Sequence, residues 1–168
     1  GMIKVVKTKE GEMNYENKLL LEGYSLENSG RANKRPFESA VRSGNLIFVS
    51  GHAGRLNGEL INKGIVGANV SVEQAQETAK AAFVNCLRAV KEQVGDLDKI
   101  MKIVNIKGYV ASTPEFTDHP KVMDAVTELA NKIFGEAGKH SRVALGMSSL
   151  PGGTSVEVEI VVEVCNEK

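Results

Sequence analysis

The sequence has no tryptophan, only two cysteines and four prolines, and no surplus of either charge: 21 Lys and Arg stand against 21 Asp and Glu. Balanced charge removes the basic excess or basic stripe by which nucleic-acid binders neutralise phosphates. It also leaves little repulsion between copies, which favours an oligomer with its patches covered. Two cysteines cannot frame a disulfide-stapled domain. Cys86 falls in a helical pattern and Cys165 at the end of the last strand, so both read as small buried hydrophobes. Three scattered histidines and two cysteines show no metal-ligand spacing, so no metal site is expected. No stretch approaches the ~20 apolar residues of a membrane span. The opening Gly1-Met2-Ile3-Lys4 lacks the apolar core of a signal peptide, and Gly1 reads as the remnant of a cleaved tag. The expectation is a cytoplasmic protein of 168 residues built around one core.

What is present is patterned. Residues 1–35 form a polar lead with one short helix, Tyr15 to Glu22, stopped by Gly23; residues 36–168 form a single domain. Phe37 to Val41 and Leu46 to Ser50 read as strands around the turn Ser43-Gly44-Asn45. Arg55 to Asn69 reads as a Gly- and Asn-rich loop. Ser71-Val72-Glu73-Gln74 is a capping box ahead of a helix whose apolar stripe runs Val72, Ala75, Ala79, Ala82, Phe83, Cys86, Val90 and Val94, ended by Gly95 and Asp96. Met101 to Val110 is a strand. Thr117-Asp118 caps a second helix with Pro120 in its first turn and Val122, Val126, Leu129, Ile133 and Phe134 on its apolar face. Two more strands, Arg142 to Met147 and Thr154 to Val164, are joined by Pro151-Gly152-Gly153 and read as a hairpin. The order β-β-α-β-α-β-β gives two helices, which cover one face of a sheet.

The last strand alternates: Val156, Val158, Ile160, Val162 and Val164 point one way, Glu157, Glu159, Val161, Glu163 and Cys165 the other. If Val143, Leu145 and Met147 bury under the helices as well, Arg142 joins Glu157 on the uncovered face, with Ala144, Gly146 and Ser148. A second subunit is the natural cover, and a pocket at the subunit interface follows.

Four stretches carry a resemblance: Pro36-Phe37-Glu38-Ser39-Ala40-Val41, Asn45-Leu46-Ile47-Phe48-Val49-Ser50-Gly51, Ser141-Arg142-Val143, and Leu150-Pro151 followed by Val156-Glu157-Val158-Glu159. In this order they resemble the reactive-intermediate deaminase family, also called the YjgF family and historically endoribonuclease L-PSP, from about Pro36 to Val164. The resemblance implies an α/β (α+β), chorismate-mutase-like fold and a homotrimer with a central β-barrel and clefts between subunits. It implies hydrolysis of small 2-imino acids and their enamine tautomers to 2-keto acids and ammonia, with no cofactor. On that analogy Arg142 holds the substrate carboxylate, Glu157 positions water or moves a proton, and Phe37, Ser50, Gly51, His52 and Ala144 line the cleft. The family's usual Tyr is Phe37 here, its frequent Cys is Ala144, its Gln after Ser-Gly is His52, and its frequent Asn falls at Thr127 or Asp124. The N-terminal lead and Thr117-Asp118-His119-Pro120 resemble a longer branch.

The chemistry fits these residue types. A guanidinium grips a carboxylate through two parallel charge-assisted hydrogen bonds. A carboxylate within one water's reach of an imine serves both water addition and ammonia departure. The plain alternative is an Arg142–Glu157 ion pair closing an interface. Glu159 and Glu163 read as solvated or interfacial, and His52 as either a ligand contact or a hydrogen-bonded structural histidine. Gly135 to Ser141 lies between helix and strand, the wrong order for a phosphate loop, and no Ser/His/Asp set presents itself. Two further functions remain open: a non-catalytic trimer that binds small carboxylates, and an endoribonuclease, against which the balanced charge argues. No nucleic-acid or membrane partner is expected.

Overall fold

A computed structural model describes residues 13–27 and 35–166. The rest of the polar lead, with Gly1, lies outside the described residues. Helix α1 (Tyr15–Leu21) is capped by the Asn14 side chain and ends ahead of Gly23, whose φ of +94° suits glycine. Its Leu19 is fully buried and Tyr15 stacks on Phe134, so this turn of helix packs onto the domain.

The domain proper is a five-stranded sheet ordered β1-β2-β7-β5-β6, with β1 at Ala40–Ser43, β2 at Leu46–Ala53, β5 at Ile100–Ala111, β6 at Ser141–Met147 and β7 at Val156–Val164. Only β5 and β6 run parallel, joined across α3 (His119–Phe134); the other pairings are antiparallel. A separate two-residue hairpin, β3 (Arg55–Leu56) and β4 (Glu59–Leu60), precedes α2 (Val72–Val94). Both long helices lie on one face of the sheet. Their stripes meet the inward side chains of β7, of which Val156, Val158, Ile160, Val162 and Val164 are all buried. Ser71 and Gln74 exchange the two hydrogen bonds of the capping box, and Gly95 closes α2 in the left-handed region.

Several expectations need correction. The strands β6 and β7 are not a hairpin, because β5 lies between them and pairs with both. Pro151-Gly152-Gly153 therefore carries the chain across the end of a neighbouring strand instead of reversing it. Strand β1 starts at Ala40, three residues after Phe37. The expected loop from Arg55 to Asn69 contains the β3–β4 hairpin, turned by Asn57 and Gly58 at φ of +50° and +83°. Asp118 is the N-cap of α3 but its side chain makes no capping hydrogen bond.

The largest correction concerns the faces. Register places Lys107 opposite both Glu159 and Val143, and Tyr109 opposite both Glu157 and Leu145, so all six share the open face. Arg142 is paired with Ile106, and Ala144 with Gly108, on the helix side. Arg142 and Glu157 thus lie on opposite faces of the sheet. The apolar residues of β6 were expected to bury under helices, but β6 is an edge strand lying over the polar flank of α3. That flank suits an arginine, and Val143 and Leu145 are left 41% and 46% exposed on the other side.

Close approach of β5 to α3 depends on Gly108, where a methyl group would overlap the Sδ, Cγ and Cε atoms of buried Met123. Gly108→Ala is expected to cost about 1–3 kcal/mol by overpacking. In chemical denaturation a Gly108→Ala/Met123→Ala double variant should lose less than the sum of the two single changes.

Candidate functional site

Two polar clusters occupy the two faces. On the helix side, the Arg142 Nη1 donates to Asp124 Oδ1 and to Thr127 Oγ1, both at 3.0 Å, and Nη2 reaches Pro120 O at 3.5 Å. No described residue accepts from Arg142 Nε, so that edge of the fork is unoccupied. Asp124 and Thr127 are three residues apart on α3, hence neighbours on one face of the helix. Both positions proposed for the family's Asn therefore touch the same guanidinium nitrogen. Around them lies an open cavity of about 390 Å³, also lined by Asn131, Lys139 and His140.

His140 extends this cluster. Its Nδ1 lies 2.6 Å from Gly138 O, and its Nε2 lies 2.9 Å from Thr127 Oγ1. A carbonyl only accepts, so Nδ1 carries the proton. In the neutral ring Nε2 then accepts the Thr127 hydroxyl, and the Thr127 oxygen is left to accept from Arg142. Each donor has one acceptor, and the relay fixes the rotamer of Thr127. Nothing in the sequence pattern marks His140 for this role.

The open face carries the second cluster. The β2 and β7 registers slip between Val49 and His52, so Ser50 and Gly51 form a bulge. Gly51 sits beneath Glu157, where a methyl group would overlap Glu157 Oε1. Ser50 donates its hydroxyl to Glu38 O at 2.7 Å and its N–H to Ser39 O at 2.9 Å, tying the segment that carries Phe37 to the bulge. Phe37 is 54% exposed, with the Arg35 guanidinium 5.4 Å above its ring. The Glu157 carboxyl is pushed up by burial and by Glu159, and drawn down in part by Arg35. Glu159 accepts the Tyr109 hydroxyl, whose pKa burial and this bond push up to about 12. Arg35 and Tyr109 were missed because neither falls in a motif.

Two expected residues sit elsewhere. His52 follows the bulge and turns toward α2, its Nδ1 2.6 Å from Ser50 O and 3.8 Å from Cys86 Sγ. Burial lowers its pKa, and Arg35 and Arg88 add to the effect. Ala144 packs against the core on the Arg142 side. Cys86 and Cys165 are both free, and burial pushes the Cys86 thiol well up, which makes it unreactive. His119 Nε2 lies 3.0 Å from Ser112 Oγ, and the Ser112 N–H donates to Met147 O. Among the described residues, no three His, Cys, Asp or Glu side chains are grouped to hold a metal, and no helix is long and apolar enough to cross a membrane.

A sequence profile of the family described as "YjgF/chorismate_mutase-like, putative endoribonuclease" matches residues 16–164. The chain belongs to the YjgF family. The match takes in α1, which the resemblance read from sequence left out. A relative from Trypanosoma cruzi, "Protein TCP17", is 33% identical over 131 residues, covering 77% of this chain and 82% of its own. Among solved structures, the Agrobacterium tumefaciens protein Atu1372, described as having unknown function, is 36% identical with a TM-score of 0.82, covering 89% of this chain and 91% of its own. A Shewanella oneidensis protein with the same endoribonuclease description is 28% identical with a TM-score of 0.83, covering 90% and 99%.

The relay sets a tautomer that can be measured. Nitrogen-15 NMR of the neutral His140 ring is expected to find the proton on Nδ1, with Thr127→Val weakening that preference. A proton on Nε2 in the unaltered protein would break the chain of hydrogen bonds to Arg142.

Proposed function

We propose that this YjgF-family protein hydrolyses small 2-imino acids, and their enamine tautomers, to 2-keto acids and ammonia at clefts between subunits of a homotrimer. The observation that carries this reading is the guanidinium of Arg142, held at Nη1 by Asp124 and Thr127 and open along its Nε edge beside a cavity. A pinned, partly free fork suits a small carboxylate. The carboxyl of Glu157, raised by burial and by Glu159, supplies the second requirement, since a carboxylate within one water's reach can position water and then protonate the departing amine.

The placement of the two residues on opposite faces of one chain supports a two-subunit site, in which Arg142 of one protomer would face Glu157 of the next. Support comes from the open face itself, where Val41, Phe48, Val143 and Leu145 are each more than 40% exposed beside the acid cluster. A second copy packed there would cover apolar surface and dry the cleft. Arg142 orients the carboxylate. Glu157 takes a proton from water as its oxygen bonds to the carbon of the protonated imine, and gives that proton to the carbinolamine nitrogen. It then takes the hydroxyl proton as the C=O bond forms and the C–N bond breaks to release ammonia.

The test is release of ammonia and keto acid from imines generated in situ by an amino-acid oxidase. Arg142→Ala is expected to lower kcat/KM by about 10²-fold, the worth of a charge-assisted pair. Glu157→Gln should lower kcat by ~10²–10⁴-fold and remove an ionisation lying above the ordinary carboxylate range from the pH profile. Rates for the unaltered protein no faster than those of Arg142→Ala would end the proposal.

The two-subunit site has its own test. Equal amounts of inactive Arg142→Ala and Glu157→Gln chains, unfolded and refolded together, should recover about a quarter of the normal activity, because three-quarters of random trimers are mixed and each then holds one intact cleft in three. No recovery in trimers shown to be mixed would place both residues' work within one chain.

A second reading, a non-catalytic trimer that binds small carboxylates, is favoured by Phe37 and Ala144, which stand where the family's usual Tyr and Cys would bring polar groups. It predicts saturable, Arg142-dependent binding of short keto acids without turnover.

A further inference from the structure

A smaller cavity of about 240 Å³ lies away from both clusters, between the turn that follows α1, the β3–β4 hairpin and the outer surface of α2. Its walls include Tyr24, Arg55, Asn57, Val84, Asn85 and Arg88. Two arginines line the cavity, while Glu77 and Glu22 act on Tyr24. Among the described residues neither arginine makes an ion pair with a carboxylate. Arg35 lies near enough to Arg55 for the two charges to repel. Glu92 and Glu157 act on Arg88 and Arg35 only at longer range.

The two guanidiniums are used differently. All three Arg88 nitrogens are engaged: Nε donates to Leu26 O, Nη2 to Ser25 O, and Nη1 to Asn85 Oδ1. Those bonds fasten the segment after α1 over α2, while Asn85 Nδ2 holds the carbonyls of Ala53 and Arg55. Arg55 is not saturated. Its Nη1 donates to Gly58 O at 3.0 Å, and its buried Nε has no hydrogen-bond partner. A buried guanidinium donor without an acceptor is costly, and Nη2, which also has no hydrogen bond among the described residues, is the nitrogen left free to donate. The Tyr24 hydroxyl also has no hydrogen bond among the described residues. Burial and the nearby Glu77 raise its pKa, so it remains a donor.

The geometry points to a binding site for a small oxyanion, phosphate or a phosphate-sized group, held by Arg55 and Tyr24 in the field of Arg88. The cavity, of about 240 Å³, has room for an anion of this size with part of its hydration. The anion would bridge the hairpin to the segment after α1, so occupancy would stabilise the docking of that segment on the domain. This site is independent of Arg142 and of the proposed deaminase reaction.

The test is titration of the whole protein with inorganic phosphate at constant ionic strength, followed by calorimetry and by the backbone amide shifts of Tyr24, Asn57 and Asn85. The expected result is saturable binding that Arg55→Gln weakens at least about tenfold, Tyr24→Phe weakens less, and Arg142→Ala leaves unchanged. A rise in Tm with phosphate should follow by mass action and vanish in Arg55→Gln. A parallel titration with a methyl phosphate monoester reports whether the site takes free phosphate alone or the end of a larger molecule; saturation by either, dependent on Arg55, supports the proposal. Shifts that chloride reproduces, binding unchanged in Arg55→Gln, or binding lost in Arg142→Ala would each overturn it. Folding of the Arg55→Gln chain is checked by its unchanged Tm without phosphate.

Discussion

Strand β7 sits at the centre of the sheet, between β2 and β5, and its strict alternation governs the molecule. Five aliphatic side chains enter the core beneath α2 and α3, and the residues between them project onto a face that no helix covers. Since the side-chain period of a strand is two, this division admits no compromise: a slip of one residue would place three glutamates under the helices. Everything paired to β7 inherits the same phase. Glu157 and Glu159 meet Tyr109 and Lys107 there, and the crowding of two carboxylates with little water gives Glu157 its raised affinity for a proton.

At the sheet edge a different force applies. Strand β6 pairs only with β5, and the ground beneath its first residues is the polar side of α3. Arg142 finds Asp124 and Thr127 there, and the apolar side chains of β6 are turned outward. The cationic and acidic halves of the proposed site are therefore separated by the thickness of a sheet, which a single chain cannot bridge. If the reaction is as proposed, subunit assembly and assembly of the site are one event.

Much of this was readable in the sequence, for identifiable reasons. The two long helices, their capping box and terminal glycine, and the phase of β7 follow from local patterns that burial reinforces. The pairing of β6 with β5 is non-local, and Pro151-Gly152-Gly153 resembles a hairpin turn closely enough to mislead. The phase of β6 was misread because hydrophobicity identifies which residues seek cover, not which side supplies it. Asn57-Gly58, a strong hairpin signal, was lost among the other glycines of its segment. Arg35, Tyr109 and the His140–Thr127 relay belong to no motif, and only three-dimensional proximity reveals them.

The bulge at Ser50 and Gly51 explains the placement of His52. Up to Val49 strand β2 keeps the phase of β7; across the bulge one residue is added, and His52 comes to face α2. At this spot chain length carries more information than side-chain identity. An exchange at residue 50 alters one side-chain contact, whereas loss of one residue would reverse the facing of everything that follows in the strand. Among descendants of this chain, substitutions at residue 50 should be tolerated far more readily than a single-residue gap.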